Sequence, residues 1–454
     1  MRLTLEQPVH FVGVGGFGMS AIARVMLQRG HQVSGSDRAE NDFTRQLAAE
    51  GVRIYRGHAA HHIGDAQLVV ISSAVQPDNP EVVAARARGL PVLKRAELLS
   101  VLLEGWRTLA VAGTHGKTTT SAMLAHILRA AGHDPSYIVG GVLVNTGDNA
   151  HHGTGSAFVI EADEYDNMFH GLRPEVALVT SLEYDHPDFF PTYDAMIASF
   201  EAFVRRVHSQ GRLIVCAEND ALRLASVSPA PVTTYGITQG EWQAADLRYD
   251  GGFMRFNVRH AGALAASAAL SVYGQHNALD ALGASLAAQA YGISLSAALA
   301  ALATFQGTGR RFERKGEADG VIVIDDYAHH PTAIKATIEA ARQRYPQHTL
   351  WAVWQPHTFS RTLQLLDEYT RAFDAAHHVL VTDIYPAREP FTDRIHSRDV
   401  VARMRHPSAR ASGSLSATAQ VLIEEASAPA VVLIMSAGDA PQVGQMFLAA
   451  RGRL

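Results

Sequence analysis

The segment that most constrains this chain is an apolar strand running through a glycine-rich turn into a helix. Leu109-Ala-Val-Ala112 is followed by Gly113-Thr-His-Gly-Lys-Thr-Thr119, and then by Ser121 to Ala131 with apolar residues at helical spacing. This pattern is a phosphate-binding loop. Backbone N–H groups of the turn and the helix N-terminus face an anion. Lys117 adds a point charge for the β- and γ-phosphates, and the Thr118 hydroxyl can ligate Mg²⁺. Only four lysines occur, at 94, 117, 315 and 335. All other strong bases are arginines, whose planar guanidinium does not replace a compact ammonium in a tight phosphate cradle. Val111 stands where the full eight-residue pattern has its first glycine. The competing reading is a glycine-rich turn bearing a surface lysine.

Apolar β-type runs alternate with helical stretches nearly throughout, which favours parallel α/β architecture with crossover helices. At 454 residues, the length suggests roughly three domains. Three blocks are expected, at 1–105, 106–306 and 307–454. In the first, strands are expected at 10–14, 31–37 and 67–74, with a helix from Ser20 to Arg29. In the second, strands at 157–160 and 176–180 precede a helix from Asp194 to Val207, and the alanine-rich stretch 264–303 is expected to be helical. In the third, strands are expected at 321–324, 350–354, 379–382 and 431–435.

A formal charge of −5 leaves no basic footprint for nucleic acid. No apolar run is long enough to span a bilayer, and the N-terminus lacks the apolar core of a secretory signal. One cysteine, Cys216, excludes an internal disulfide and fits a reducing compartment. These readings point to the cytoplasm, with no membrane partner. No Cys/His spacing among the 23 histidines reads as structural zinc.

A second glycine loop, Gly13-Val-Gly-Gly-Phe-Gly18, also lies between a strand and a helix. Asp37 ends the next strand, about 20 residues on, as a dinucleotide fingerprint expects. The loop specifies a pyrophosphate at a helix N-terminus. Either NAD or a uridine diphosphate satisfies it, with Asp37 reaching ribose or base. Glu161, Asp163, Glu164 and Asp166 follow the strand at 157–160 and suit Mg²⁺ on a triphosphate. Asp185-His186 ends the neighbouring strand. Gly274-Gln-His-Asn277 is a capping turn by itself. Arg310 and Arg311 lie past the second boundary, where they either reach a γ-phosphate or form a surface pair. Asp325-Asp-Tyr-Ala-His-His-Pro331 and Gln355-Pro-His-Thr-Phe-Ser-Arg361 each follow a strand of the third block, where open sheets bind ligands. Their Tyr, His and Arg suit a carboxylate or amino-acid ligand.

Taken in order, Gly15-Gly-Phe-Gly-Met-Ser20, Ser72-Ser-Ala74, Gly113–Thr119, Glu161-Ala-Asp-Glu164, Asp185-His186, His276-Asn277, Arg310-Arg-Phe312, Asp325–Pro331, Gln355-Pro-His357 and Ser436-Ala-Gly-Asp439 resemble the Mur ligase family over nearly the whole chain. The resemblance implies a Rossmann-like N-terminal domain holding a UDP-sugar, a central ATP-binding domain and a C-terminal domain that closes with an amino acid. It resolves the first glycine loop in favour of UDP over NAD. It implies UDP-sugar contacts at Gly15, Gly16, Phe17, Gly18, Met19, Ser20, Asp37, Ser72 and Ser73. ATP contacts would fall at Gly113, Thr114, His115, Gly116, Lys117, Thr118, Thr119, His276, Asn277, Arg310 and Arg311, with one of Asp325 and Asp326 at the ribose. Thr118, Glu161 and His186 would ligate two Mg²⁺, for which Mn²⁺ can substitute. Tyr327, His329, His330, His357 and Arg361 would position the amino acid or the substrate carboxylate. Lys117, Glu161, His186 and Arg310 would carry the catalysis.

Within the family, no lysine lies between Lys117 and Lys315 to be carbamylated as a metal-bridging group. That fits the branch that adds L-alanine to UDP-N-acetylmuramate through an acyl phosphate, and also the recycling branch that attaches a preformed tripeptide. Gln355–Arg361 resembles the alanine-adding branch. A monomer or weak homodimer is expected. Tyr165, Asp280, Thr358 and Ser436 depart from the family pattern. An NAD-dependent oxidoreductase leaves the Lys117 loop unexplained, and a non-catalytic nucleotide-binding protein leaves Lys117, Thr118, Glu161 and His186 without a purpose.

Overall fold

The computed structural model describes residues 7–387 and 389–452. Three mostly parallel sheets follow one another along the chain. The first has five parallel strands in the order Arg53–Arg56, Val33–Asp37, Val9–Val12, Leu68–Ile71, Val92–Lys94. Its order reverses at Val9–Val12, so the crevice at the carboxyl end of that strand is the ligand position in a doubly wound sheet. The first glycine loop lies there. Gly13 takes a left-handed φ of +79°, and a Cβ on it would meet Ser72 Oγ at 2.9 Å. The helix that follows starts at Phe17 and ends at Gln28.

The second sheet has a parallel core in the order Ser136–Ile138, Ala157–Glu161, Arg107–Ala112, Val176–Val179, Arg212–Cys216, Val232–Gly236. Helices cover both faces, so Leu109 to Ala112 are all buried and the strand is continuously apolar. The phosphate-loop helix Lys117–Ala130 packs against the helix Gln275–Tyr291 in one core. Ala278, Ala281, Ala284 and Ala288 are fully buried there beside Met123 and Leu124. Small side chains let the two backbones approach closely.

The alanine-rich stretch 264–303 is not helical throughout. Ala263–Leu270 is a strand that closes an antiparallel meander with Trp242–Asp250 and Phe253–His260. Ala268 and Leu270 turn inward opposite Phe256 and Met254. Pairing with an existing sheet edge overrides alanine's high helix propensity, which is worth under about 1 kcal/mol per residue. Helices follow only at Gln275–Tyr291 and Leu295–Leu302.

The third sheet runs Glu313–Ala318, Val321–Asp326, Ala430–Met435, Thr349–Trp354, His378–Thr382, Ala409–Gly413, parallel except at the first pair. Its two edge strands, Glu313–Ala318 and Ala409–Gly413, are largely solvent-facing and lack the apolar run that marks the others. No helix among the described residues is long and apolar enough to cross a membrane.

Candidate active site

The three sheets converge on one cleft of about 1640 Å³. Its lining includes Phe17, Gly18, Ser73 and Arg95 from the first unit, the Thr114–Thr119 loop, Glu161 and His186 from the second, and Arg311, His330, His357 and Arg361 from the third.

The phosphate loop is built by its strand and held from the neighbouring one. Thr114 N donates to Ser181 O at 3.0 Å, and Thr114 Oγ1 to Glu183 O at 2.9 Å. Gly116 has φ +80°, and a Cβ there would lie 2.5 Å from Asp280 Oδ1. Lys117 is not on the surface, since its side chain is 14% exposed. Its Nζ donates to Gly113 O at 2.5 Å and lies 2.9 Å from Glu164 Oε2. Burial works against the ammonium, but Glu164, Asp163 and Glu161 outweigh it and raise its pKa. Thr119 is buried in the same first turn of the helix.

Thr118 Oγ1 donates to Glu161 Oε1 at 3.2 Å. Gly140 N donates to Glu161 Oε2 at 2.6 Å, an approach that only a glycine permits. Burial pushes the Glu161 carboxyl up in spite of Lys117 and Arg311. A half-buried carboxylate beside a hydroxyl fits a hard divalent cation.

The other acids of that run are spoken for. Asp163 pairs with Arg95 at 2.9 Å and Asp166 with Lys94 at 3.4 Å, both across to the first unit, while Glu164 neutralises Lys117. The expected four-acid metal cluster therefore narrows to Glu161. His186 adopts φ +55°, and its Nε2 lies 3.6 Å from Glu164 Oε1. It faces the Glu164 side of the site, with the Tyr165 ring 5.2 Å away. Burial lowers the His186 pKa, but Asp185 and Glu164 outweigh it, so the net shift is upward.

The two arginines past the second boundary separate. Arg311 Nη2 donates to Thr118 Oγ1 at 3.1 Å, which brings the third unit onto the phosphate loop. Arg310, expected to carry catalysis, is turned into its own unit. Its Nε meets Asp325 Oδ2 at 3.2 Å, and its Nη2 donates to Ser436 O at 2.6 Å. Asp326 accepts from Phe312 N and Ala328 N, both at 2.7 Å, and so holds the turn that aims Arg311. Both aspartates expected near ribose are thus engaged with protein, and burial pushes Asp325 up to about 6.

The remaining expected residues fall around the same cleft. His276 is pushed down to about 4, chiefly by burial, and the Asn277 side chain donates to Tyr273 O. Gly15 N donates to Asp37 Oδ2 at 2.8 Å, so Asp37 braces the first glycine loop. A Cβ on Gly18 would meet Arg95, whereas Met19 and Ser20 are buried on the inner face of the helix. Gly16 is exposed before the helix, and Ser72 accepts from Ala74 N at 3.3 Å. Arg361 Nε meets Asp185 Oδ1 at 2.8 Å, and Arg361 Nη1 meets His357 Nδ1 at 2.9 Å. His329 Nδ1 meets Tyr327 O at 2.9 Å. The His330 ring stands 4.6 Å from that of His115.

Asp185 and Glu183 have no expected role of their own, yet each carries a contact that assembles the cleft. Their signal was the acid-rich Glu183-Tyr-Asp-His186 at a strand end. Two family departures also acquire a local reason. Ser436 Oγ donates to Gln355 Oε1 at 2.7 Å, and Thr358 caps the helix Phe359–Gln364 at φ +64°.

The fold and cleft define a multidomain enzyme of nucleotide-driven group transfer, with a phosphate loop at the centre and a third α/β unit reaching onto it. Family models match in series: Mur ligase family, catalytic domain, at residues 8–107; Mur ligase middle domain at 111–288; and Mur ligase, glutamate ligase domain, at 310–438. The chain belongs to the Mur ligase family. It is 43% identical to a UDP-N-acetylmuramate–L-alanine ligase of Roseiflexus castenholzii over 98% of this chain and 97% of that protein. Against the enzyme of the same name from Rubrobacter xylanophilus it is 43% identical over 97% of this chain and 99% of that one. The solved UDP-N-acetylmuramate-alanine ligase of Thermotoga maritima superposes with a TM-score of 0.84, at 28% identity, covering 98% of this chain and 99% of that one.

Proposed function

We propose that this chain joins L-alanine to the lactyl carboxylate of UDP-N-acetylmuramate in peptidoglycan precursor synthesis, with ATP converted to ADP and phosphate. The observation that carries the reading is the junction of Lys117, Thr118 and Glu161 with Arg311 from another unit, at the centre of one three-sided cleft. Full-length similarity to enzymes named for this reaction supports it. The family-model spans support units at 1–105, 106–306 and 307–454.

A carboxylate is a poor acyl donor. Transfer of the γ-phosphoryl group to its oxygen makes a mixed anhydride. The α-amine of alanine then attacks the carbonyl carbon and phosphate departs, leaving an amide. Both steps place negative charge on oxygen, so fixed cations in a dry site dominate the barrier. Lys117 and Arg311 supply two of them. Mg²⁺, held by Thr118 and Glu161 with His186 at a second ion, would neutralise phosphoryl oxygens when bound. Lys117 is held by Glu164 in a protonated state, ready to exchange that partner for phosphate. Arg361, paired with Asp185, and His357, which accepts from it, line the third unit's side of the cleft, where the amino acid would sit. Approach of that unit excludes the water that would hydrolyse the anhydride. Soluble nucleotide substrates place the reaction in the cytoplasm, and a monomer or weak homodimer suffices because all three sides of the cleft come from one chain.

A second reading is a recycling ligase attaching L-Ala-γ-D-Glu-diaminopimelate. A solved murein peptide ligase of Psychrobacter arcticus resembles this chain at 30% identity with a TM-score of 0.73. Phosphate release from ATP, Mg²⁺ and UDP-N-acetylmuramate distinguishes the two. Turnover strongest with L-alanine, above glycine and L-serine, is expected. Turnover confined to the tripeptide would establish the second reading, and silence with every amine would refute both.

A further inference from the structure

Beside the phosphate loop, and separate from the Thr118–Glu161 pair, three side chains from different segments converge. His115 lies in the loop itself. Glu183 follows the strand Val176–Val179, and His330 precedes the helix Pro331–Arg344 of the third unit. One ligand atom from each lies within 4.8 Å of the other two, and no other group of three or more His, Cys, Asp or Glu does so among the described residues. Glu183 Oε2 is 3.1 Å from His115 Nε2 and 3.6 Å from His330 Nδ1. Ligands about 2.0–2.1 Å from a tetrahedral zinc ion stand about 3.3 Å apart. The two distances bracket that edge.

Two further observations point to a cation. His330 is 6% exposed, and neither of its ring nitrogens has a hydrogen-bond partner among the described residues. A buried imidazole without a partner is costly in a folded protein unless something else uses it. Thr332 Oγ1 donates at 2.8 Å to the same Glu183 oxygen, Oε2, and so fixes its position, as residues around metal ligands do. A set with two imidazoles and only one carboxylate favours a late transition metal over Mg²⁺, which prefers sites made mostly of oxygen.

We propose that His115, Glu183 and His330 form a binding site for one divalent ion of the zinc class, with water completing a tetrahedron. Because His330 belongs to the third unit and the other two to the second, the ion ties the two units together across the cleft.

The test uses the full-length protein, stripped of metal by chelation and kept in excess Mg²⁺ to fill hard oxygen sites. Calorimetric titration with Zn²⁺ should show one site, and Co²⁺ should give the intense visible absorption of four-coordinate cobalt. His330→Ala and Glu183→Gln should each weaken Zn²⁺ binding by roughly a hundredfold or more, as loss of a direct ligand exceeds the effect of losing a supporting one. His61→Ala, on an exposed histidine of the first unit, should leave it unchanged. Zn²⁺ should raise the melting temperature of the wild type and not of either ligand variant. Should His330→Ala fail to fold, the nearly isosteric Glu183→Gln decides. No stoichiometric binding by the wild type, an octahedral cobalt spectrum, or wild-type affinity in a folded ligand variant would overturn the proposal.

Discussion

Asp280 is the departure from the family pattern with the largest measurable consequence. It lies in the helix Gln275–Tyr291, is 6% exposed, and presses its carboxyl against the backbone of Gly116 in the phosphate loop. Burial pushes it from 3.8 up to about 7, only partly offset by the Thr120 hydroxyl and by the charge of Arg311. A carboxyl raised in this way holds its proton in the folded chain and releases it in the unfolded one between those two values. Stability is therefore greatest at low pH within the window and falls as pH rises from about 4 to about 7. Three pKa units at 1.36 kcal/mol each give a ceiling of about 4 kcal/mol. Asp280→Asn keeps the shape and removes the charge. The variant should exceed the wild type by only about 1 kcal/mol at pH 4.5 and by up to about 4 kcal/mol above pH 8. The difference in melting temperature between the two proteins, followed from pH 4.5 to 9, reads this directly. ATP affinity is a second measure, because an ionised Asp280 sets negative charge behind the loop. The wild type should bind ATP less tightly above pH 7, and the variant should not share that loss. A difference in melting temperature that stays constant across the range would refute the reasoning, since Asp280 would then titrate as an ordinary carboxylate.

Other consequences follow from buried ion pairs. Arg361→Met leaves Asp185, 5% exposed at its side chain, without its arginine, and should cost about 3–5 kcal/mol; the double variant Asp185→Asn/Arg361→Met should recover much of that loss in chemical denaturation, and additive losses would disprove the coupling. Glu81 is fully buried and ringed by Ser36 at 2.6 Å, His62 at 2.9 Å and His58 at 3.2 Å. Burial would raise its pKa, but His10, Ser36 and His62 outweigh it and bring the value down to about 2. Its contribution, about 3 kcal/mol from the 2.5-unit shift, is present above pH 4.5 and lost as pH falls toward 2. Glu81→Gln should therefore destabilise the chain at pH 7 and flatten its acid-unfolding limb, and an acid limb identical to the wild type would remove Glu81 from that role.

Local pattern and tertiary contact divided this molecule unevenly. The strand Leu109–Ala112, the turn and the helix after it are contiguous, so periodicity and glycine placement reveal them. The same holds for the Gly13–Gly18 loop and for the strands with apolar runs. Ala263–Leu270 reads as helix because alanine is the best helix former, and only pairing with its neighbour makes it a strand. The polar edge strands Glu313–Ala318 and Ala409–Gly413 escaped for the related reason that an edge need not be apolar.

What the amino-acid order determined by itself is the series of three α/β units, the phosphate loop and the family. Each is written in residues adjacent along the chain. What only the tertiary structure decided is the assignment of charges that look alike in sequence. Arg311 and not Arg310 reaches Thr118, 193 residues away. Glu161 stays outside these pairs, because Arg95, Lys94 and Lys117 take its three acidic neighbours. Asp185 and Arg361 meet across 176 residues. The physical reason is that a charged side chain's state depends on burial and on partners a few ångströms away, and folding brings those partners from distant parts of the chain.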